Sequence, residues 1–136
     1  MTETNAGATT ERNPRKGRRG LARAWDATQN SWNGLVFAVR EEWAFRQELL
    51  LAACLIPLAL LPPFGTVERL MLIGSVVLIL IVEFLNSSIE AAIDRISLEH
   101  HGLSKRAKDY GSAAVTLALL VCALVWITLI YRLLAG

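Results

Sequence analysis

Charge is scarce in this chain. Asp, Glu, Lys and Arg make up 19% of its 136 residues, against 54% hydrophobic residues and a mean hydropathy of +0.42. A soluble domain carries roughly 25% charged residues, so a soluble globular domain is a poor fit. Cysteine is scarcer still. Cys54 and Cys122 both fall inside apolar stretches and are expected to be buried apolar fillers, not a disulfide. Without a C-x-x-C motif or a Cys/His cluster, structural zinc is excluded. The Walker A motif and the glycine-rich loop of protein kinases are absent as well. Fourteen basic residues against twelve acidic ones leave a formal net charge of only +2, too little to suggest a nucleic-acid partner.

What the chain has instead is apolar length. Past Phe45 long stretches carry no charge, while basic residues gather before Arg23 and between Arg95 and Lys108. This distribution excludes a disordered chain and points to a small all-α membrane protein. Residues 1–20 are rich in Thr, Asn, Gly and Arg and are expected to form a disordered basic arm. No apolar core follows directly, so the arm is not expected to be a signal peptide. In residues 21–40, Leu21, Trp25, Thr28, Trp32, Leu35, Val36 and Val39 share a sector about 100° wide. Two tryptophans on that face suit the headgroup boundary, so an amphipathic surface helix is expected.

Three spans follow, at about residues 45–61, 67–96 and 108–134, within one membrane domain of residues 21–136. Pro57 is expected to kink the first, and Pro62 and Pro63 to stop it. The second has roughly thirty residues, about 45 Å of helix against a hydrocarbon core of about 30 Å, so its C-terminal end must project into water. The arm and the second loop are rich in Lys and Arg, whereas the first loop holds only Arg69. By the positive-inside rule the N-terminus is expected in the cytoplasm and the C-terminus outside.

The second span carries the chemistry. Asn86, Glu90 and Asp94 follow Glu83 by three, seven and eleven residues, and all four share one helix face. A carboxylate at membrane depth is expensive and defaults to a functional role. The stripe begins in lipid and ends in water, where it can join a lipid headgroup to a soluble co-substrate. Carboxylates at the wet end suit Mg²⁺, which takes one or two of them together with phosphate oxygens. At the lipid end, Glu83 can accept a hydroxyl proton as a general base. Lys105, Arg106 and Lys108 supply charge for phosphate. Spacing alone equally permits a proton or ion pathway, with Glu83 the proton site of a non-enzymatic transporter or channel subunit.

These residues also carry a resemblance. The run Glu83-Phe84-Leu85-Asn86-Ser87-Ser88-Ile89-Glu90-Ala91-Ala92-Ile93-Asp94-Arg95 resembles the signature helix of the small bacterial integral-membrane diacylglycerol kinases. Leu103-Ser104-Lys105-Arg106-Ala107-Lys108-Asp109, with Gly111-Ser112-Ala113-Ala114-Val115 after it, is similar to that family's loop and third-span entry. Glu42-Trp43-Ala44-Phe45-Arg46-Gln47-Glu48 and Ser31-Trp32-Asn33-Gly34 extend the likeness upstream, so it runs from about Gly20 to the end. The longer basic arm and Lys105 depart from the family's pattern.

The resemblance implies an ATP- and Mg²⁺-dependent kinase of the inner membrane that converts diacylglycerol to phosphatidic acid. It implies a homotrimer with active sites shared between subunits. By position, Glu83 is the general base, Asn86 helps build the active site, and Glu42 and Glu90 hold Mg²⁺ on the ATP phosphates. Lys108 and Asp109 fall on the nucleotide side, with Arg23, Glu99 and His101 at positions that line the nucleotide pocket. Arg46, Gln47 and Glu48 fall near the lipid headgroup, together with Glu83. Gram-positive relatives of the same fold phosphorylate undecaprenol. The run His101-Gly102-Leu103-Ser104 and the run Asp109-Tyr110-Gly111-Ser112 look closer to the diacylglycerol branch.

Overall fold

The computed structural model describes residues 20–96 and 101–135. Their regular elements are four α-helices: α1 Leu21–Glu41, α2 Trp43–Leu60, α3 Thr66–Ile96 and α4 Gly102–Ala135. The expected arm up to residue 19 and the candidate Glu99 lie outside the described residues. The chain divides into two compact units within α1, one ending at Leu35 and the other beginning at Val36.

In the first unit, Trp25 and Trp32 are about two-thirds exposed, at 64% and 67%. Thr28 Oγ1 and Ser31 Oγ donate to Ala24 O and Ala27 O, each at 3.0 Å. Such bonds to the preceding turn let hydroxyl residues sit inside a helix.

The second unit holds three helices long and apolar enough to cross a membrane. With 18, 31 and 34 residues, α2, α3 and α4 extend about 27, 46 and 51 Å at the standard rise. α2 continues through Pro57 to Leu60, and Leu61 N closes its last turn on Pro57 O at 3.1 Å. The turn to α3 is tied down by side chains. Gly65 N donates to Glu68 Oε2 at 2.9 Å, one half of a capping box, and Arg69 Nη2 donates to Pro62 O at 3.2 Å. Glu68 Oε1 also lies 3.2 Å from Arg132 Nη1, near the end of α4. At the other end Lys108, early in α4, reaches Asp94, late in α3. α3 and α4 are therefore antiparallel, and so are α2 and α3, joined by a turn too short for any other course.

α3 is central and packs on both neighbours. Its buried face steps by four and three: Leu72, Val76, Ile79, Glu83, Asn86. Ala52 and Ala59 meet it from α2, and Ala118, Cys122, Trp126 and Leu129 from α4. The alanines and Cys122 are small enough for backbones to approach closely, the usual device where lipid provides no hydrophobic drive between helices. Ser75 Oγ, at the same level, donates to Leu72 O at 2.8 Å and lies 3.5 Å from Cys122 Sγ.

Two sequence expectations need correction. Cys122 is a buried filler, but Cys54 is exposed, because it sits on the side of α2 turned away from α3. The basic segment expected as a loop up to residue 108 is helical from Gly102, since charged residues are compatible with a helix wherever it stands clear of lipid.

Candidate active site

The inner face of α3 changes character along its length. Leu72, Val76 and Ile79 are apolar, and one turn further the same face presents Glu83 and then Asn86. Both are buried, Glu83 to 3% exposure, and Glu90 continues the face half-buried. Asn86 Nδ2 donates to Glu90 Oε1 at 3.2 Å, and the same side chain comes within reach of the Glu83 carboxylate. Asn86 Oδ1 is buried with no hydrogen-bond partner.

α2 brings two further acids. Glu42, at the junction of α1 and α2, and Glu48, one turn inside α2, both lie within electrostatic reach of Glu83, as does Glu90. Glu48 Oε2 is buried without a partner. The rings of Phe45 and Phe84 meet edge to face at 5.2 Å and 88°, locking α2 against α3 beside Glu83. Arg46 and Gln47 are exposed on the outer side of α2. The Arg46 guanidinium lies 5.2 Å from the Trp43 ring centre and donates to Arg40 O at 3.3 Å.

Lys108 and Asp109 are adjacent in sequence yet take different partners. Lys108 Nζ turns inward to Asp94 Oδ1 at 2.6 Å, while Asp109 pairs with Lys105 at 2.8 Å on an exposed face. His101 caps α4: its Nδ1 accepts from Leu103 N at 3.2 Å, and its carbonyl accepts from Lys105 N at 3.0 Å. Arg23 is exposed in the first unit.

Of the sequence-predicted residues, the fold thus gathers Glu42, Glu48, Glu83, Asn86 and Glu90. It links Lys108 to the far end of their stripe and leaves Arg46, Gln47, His101 and Asp109 on exposed surface. No ion pair among the described residues takes up any of the four glutamates. Among the described residues no three His, Cys, Asp or Glu side chains converge closely enough to hold a metal alone. Glu42 and Glu90, two carboxylates that no direct ion pair among the described residues takes up, nevertheless fit Mg²⁺, which completes its shell with water and phosphate oxygens.

Sequence reasoning missed three neighbours. Phe45 and Phe84 gave no sign beyond their aromaticity. Gly111 did: a glycine inside a long helical span marks close backbone approach. At the opposite end, a groove lined by Phe64, Glu68, Leu129, Tyr131 and Arg132 has its acid and base already paired with each other.

A small helical membrane protein with carboxylates gathered at one end of three apolar helices is the class this arrangement defines. The profile of the prokaryotic diacylglycerol kinase family matches residues 29–130. The diacylglycerol kinase of Pseudomonas aeruginosa is 50% identical over 117 residues, 86% of this chain and 95% of that one. That of Escherichia coli K12 is 45% identical over 112 residues, covering 82% and 92% of the two chains. That of Haemophilus influenzae is 44% identical over 107 residues, covering 79% and 91%. The chain belongs to the prokaryotic diacylglycerol kinase family, a family of bacterial membrane enzymes.

Proposed function

We propose that this protein is an ATP-dependent lipid kinase that phosphorylates the free hydroxyl of diacylglycerol to give phosphatidic acid. The observation that carries this is Glu83, a carboxylate 3% exposed inside a membrane-spanning helix, with Asn86 one turn away. Among the described residues Glu83 has no basic partner, which is costly for a buried acid, and an acid that takes up a substrate proton accounts for its retention. Glu83 accepts the proton as the hydroxyl oxygen bonds to the γ-phosphorus. The bond from that phosphorus to the β–γ bridging oxygen breaks, and ADP leaves. Asn86 holds the carboxylates in place through its amide.

Glu42 and Glu90 would hold Mg²⁺, which supplies charge neutralisation on the ATP phosphates. Lys108 and Asp109 serve the nucleotide, and the family resemblance assigns Arg23, Glu99 and His101 to it as well. Arg46, Gln47 and Glu48 serve the lipid headgroup. Residues 21–136 form the membrane domain, with α1 as a surface helix, and residues 1–20 a cytoplasmic arm. The N-terminus and the acid cluster face the cytoplasm, where ATP is, and the C-terminus faces outward, as the Lys/Arg distribution favours. Large exposed side chains along all three spanning helices, such as Leu58, Leu85 and Leu124, leave room for the homotrimer that the family resemblance implies.

The test is direct. Purified protein in mixed micelles receives labelled ATP with diacylglycerol or with undecaprenol, in parallel. Label in phosphatidic acid is the expected result. Label in undecaprenyl phosphate alone would move the protein to the polyprenol branch. An absence of ATP turnover would overturn the kinase in favour of a non-enzymatic role for Glu83.

A further inference from the structure

α4 meets the acid cluster at a glycine. Gly111 is buried, and a Cβ built on it would overlap Asn86 Oδ1 and come within 3.1 Å of Asn86 Cγ and 3.7 Å of Asn86 Cβ. All three nearest neighbours belong to this one side chain. The same Oδ1 is buried without a hydrogen-bond partner, while Nδ2 on the other side of the amide bonds Glu90. A carboxamide with one end tied to a carboxylate and the other pressed on a helix backbone has a single comfortable orientation. The backbone that presses on it lacks a side chain only because residue 111 is glycine. Glycine is a poor helix former, so its place in a 34-residue helix calls for a local reason. Elsewhere the α3–α4 seam has alanine or larger residues: Ala118, Cys122 and Trp126.

We infer that Gly111 is a positioning residue of the kinase: its bare backbone seats the Asn86 amide so that Nδ2 faces the carboxylates of Glu83 and Glu90. The inference rests on the kinase assignment and deepens it. Addition of a methyl group at 111 pushes on the free end of a side chain, not on a backbone. The helices therefore keep their packing while the amide turns or withdraws. Chemistry then suffers and assembly does not, because a displacement of about 1 Å at a reacting centre can cost up to a hundredfold in rate.

The experiment compares wild type, Gly111→Ala, Asn86→Ala and the double variant in mixed micelles with labelled ATP and diacylglycerol, alongside unfolding midpoints. Gly111→Ala is expected to lose on the order of 10–100-fold in kcat. Its KM values for ATP and lipid should stay close to wild type, and its unfolding midpoint near normal. In the Asn86→Ala background the space is vacant, so Gly111→Ala should lower kcat no further. Wild-type turnover by Gly111→Ala would overturn the inference, as would an equal loss in both backgrounds. A Gly111→Ala protein that fails to assemble would assign the glycine to packing and overturn it too. An inactive wild type would instead remove the kinase assignment itself, so the two failures are distinguishable.

Discussion

Glu83 is the residue on which the proposed chemistry turns. Glutamine preserves its shape and can still meet Asn86, but it cannot accept a proton. Glu83→Gln is therefore expected to fold and assemble normally while phosphoryl transfer falls by on the order of 10²–10⁴-fold, the usual range for loss of a general base. Labelled-ATP turnover beside a size and unfolding measurement checks both halves. Near-normal turnover would remove the proton-acceptor role. Glu42 and Glu90 differ in company: both are half-buried, but only Glu90 is held by an Asn86 hydrogen bond. Each variant, Glu42→Ala and Glu90→Ala, removes one carboxylate ligand from the proposed divalent site, so the Mg²⁺ concentration for half-maximal turnover should rise. Identical Mg²⁺ titrations for wild type and both variants would exclude them as ligands.

At the scale of elements, α3 does two jobs with one face. Its first half packs as an ordinary apolar seam, and its second half carries acids at the same angular position. The seam therefore continues into the candidate site. The opposite end is fastened by Glu68, whose two oxygens serve Gly65 N at the start of α3 and Arg132 near the end of α4. Glu68→Ala removes a capping interaction and an ion pair, together about 1 kcal/mol for partly exposed groups. Reversible unfolding in detergent should show that loss, and kinase turnover per folded protein should stay at the wild-type level. A loss of turnover in the folded fraction would mean that the far end communicates with the acids.

In the whole molecule, α3 and α4 of one chain bring Lys108 to Asp94 and Gly111 to Asn86. Under the proposed function, Glu83 and Lys108 would then serve the same half of a shared site. Mixed assemblies of Glu83→Gln and Lys108→Ala chains should stay at background activity, because each chain spoils its own half. Restored activity in demonstrably mixed assemblies would show that the two residues reach one site from different chains. The exposed side of the spans carries Cys54 and large apolar residues, a surface suited to lipid or to further copies of the chain.

The sequence by itself determined the helical class, the three apolar stretches and the shared face of Glu83, Asn86, Glu90 and Asp94. Composition, hydropathy and the 3.6-residue period are local properties, and a helix keeps them wherever it packs. Family motifs, also linear, identified the chain's relatives before any fold was known. Only the tertiary structure decided what lies across from that face. Periodicity could not tell that Lys108 turns to Asp94 while Asp109 turns to Lys105, because adjacent residues on a helix point about 100° apart toward different neighbours. Nor could it place Cys54 outside and Cys122 inside, since both stretches are apolar on every side. Gly111 was visible only as an anomaly. Its meaning came from the approach of a second helix to Asn86, a contact between residues 25 positions apart in the sequence.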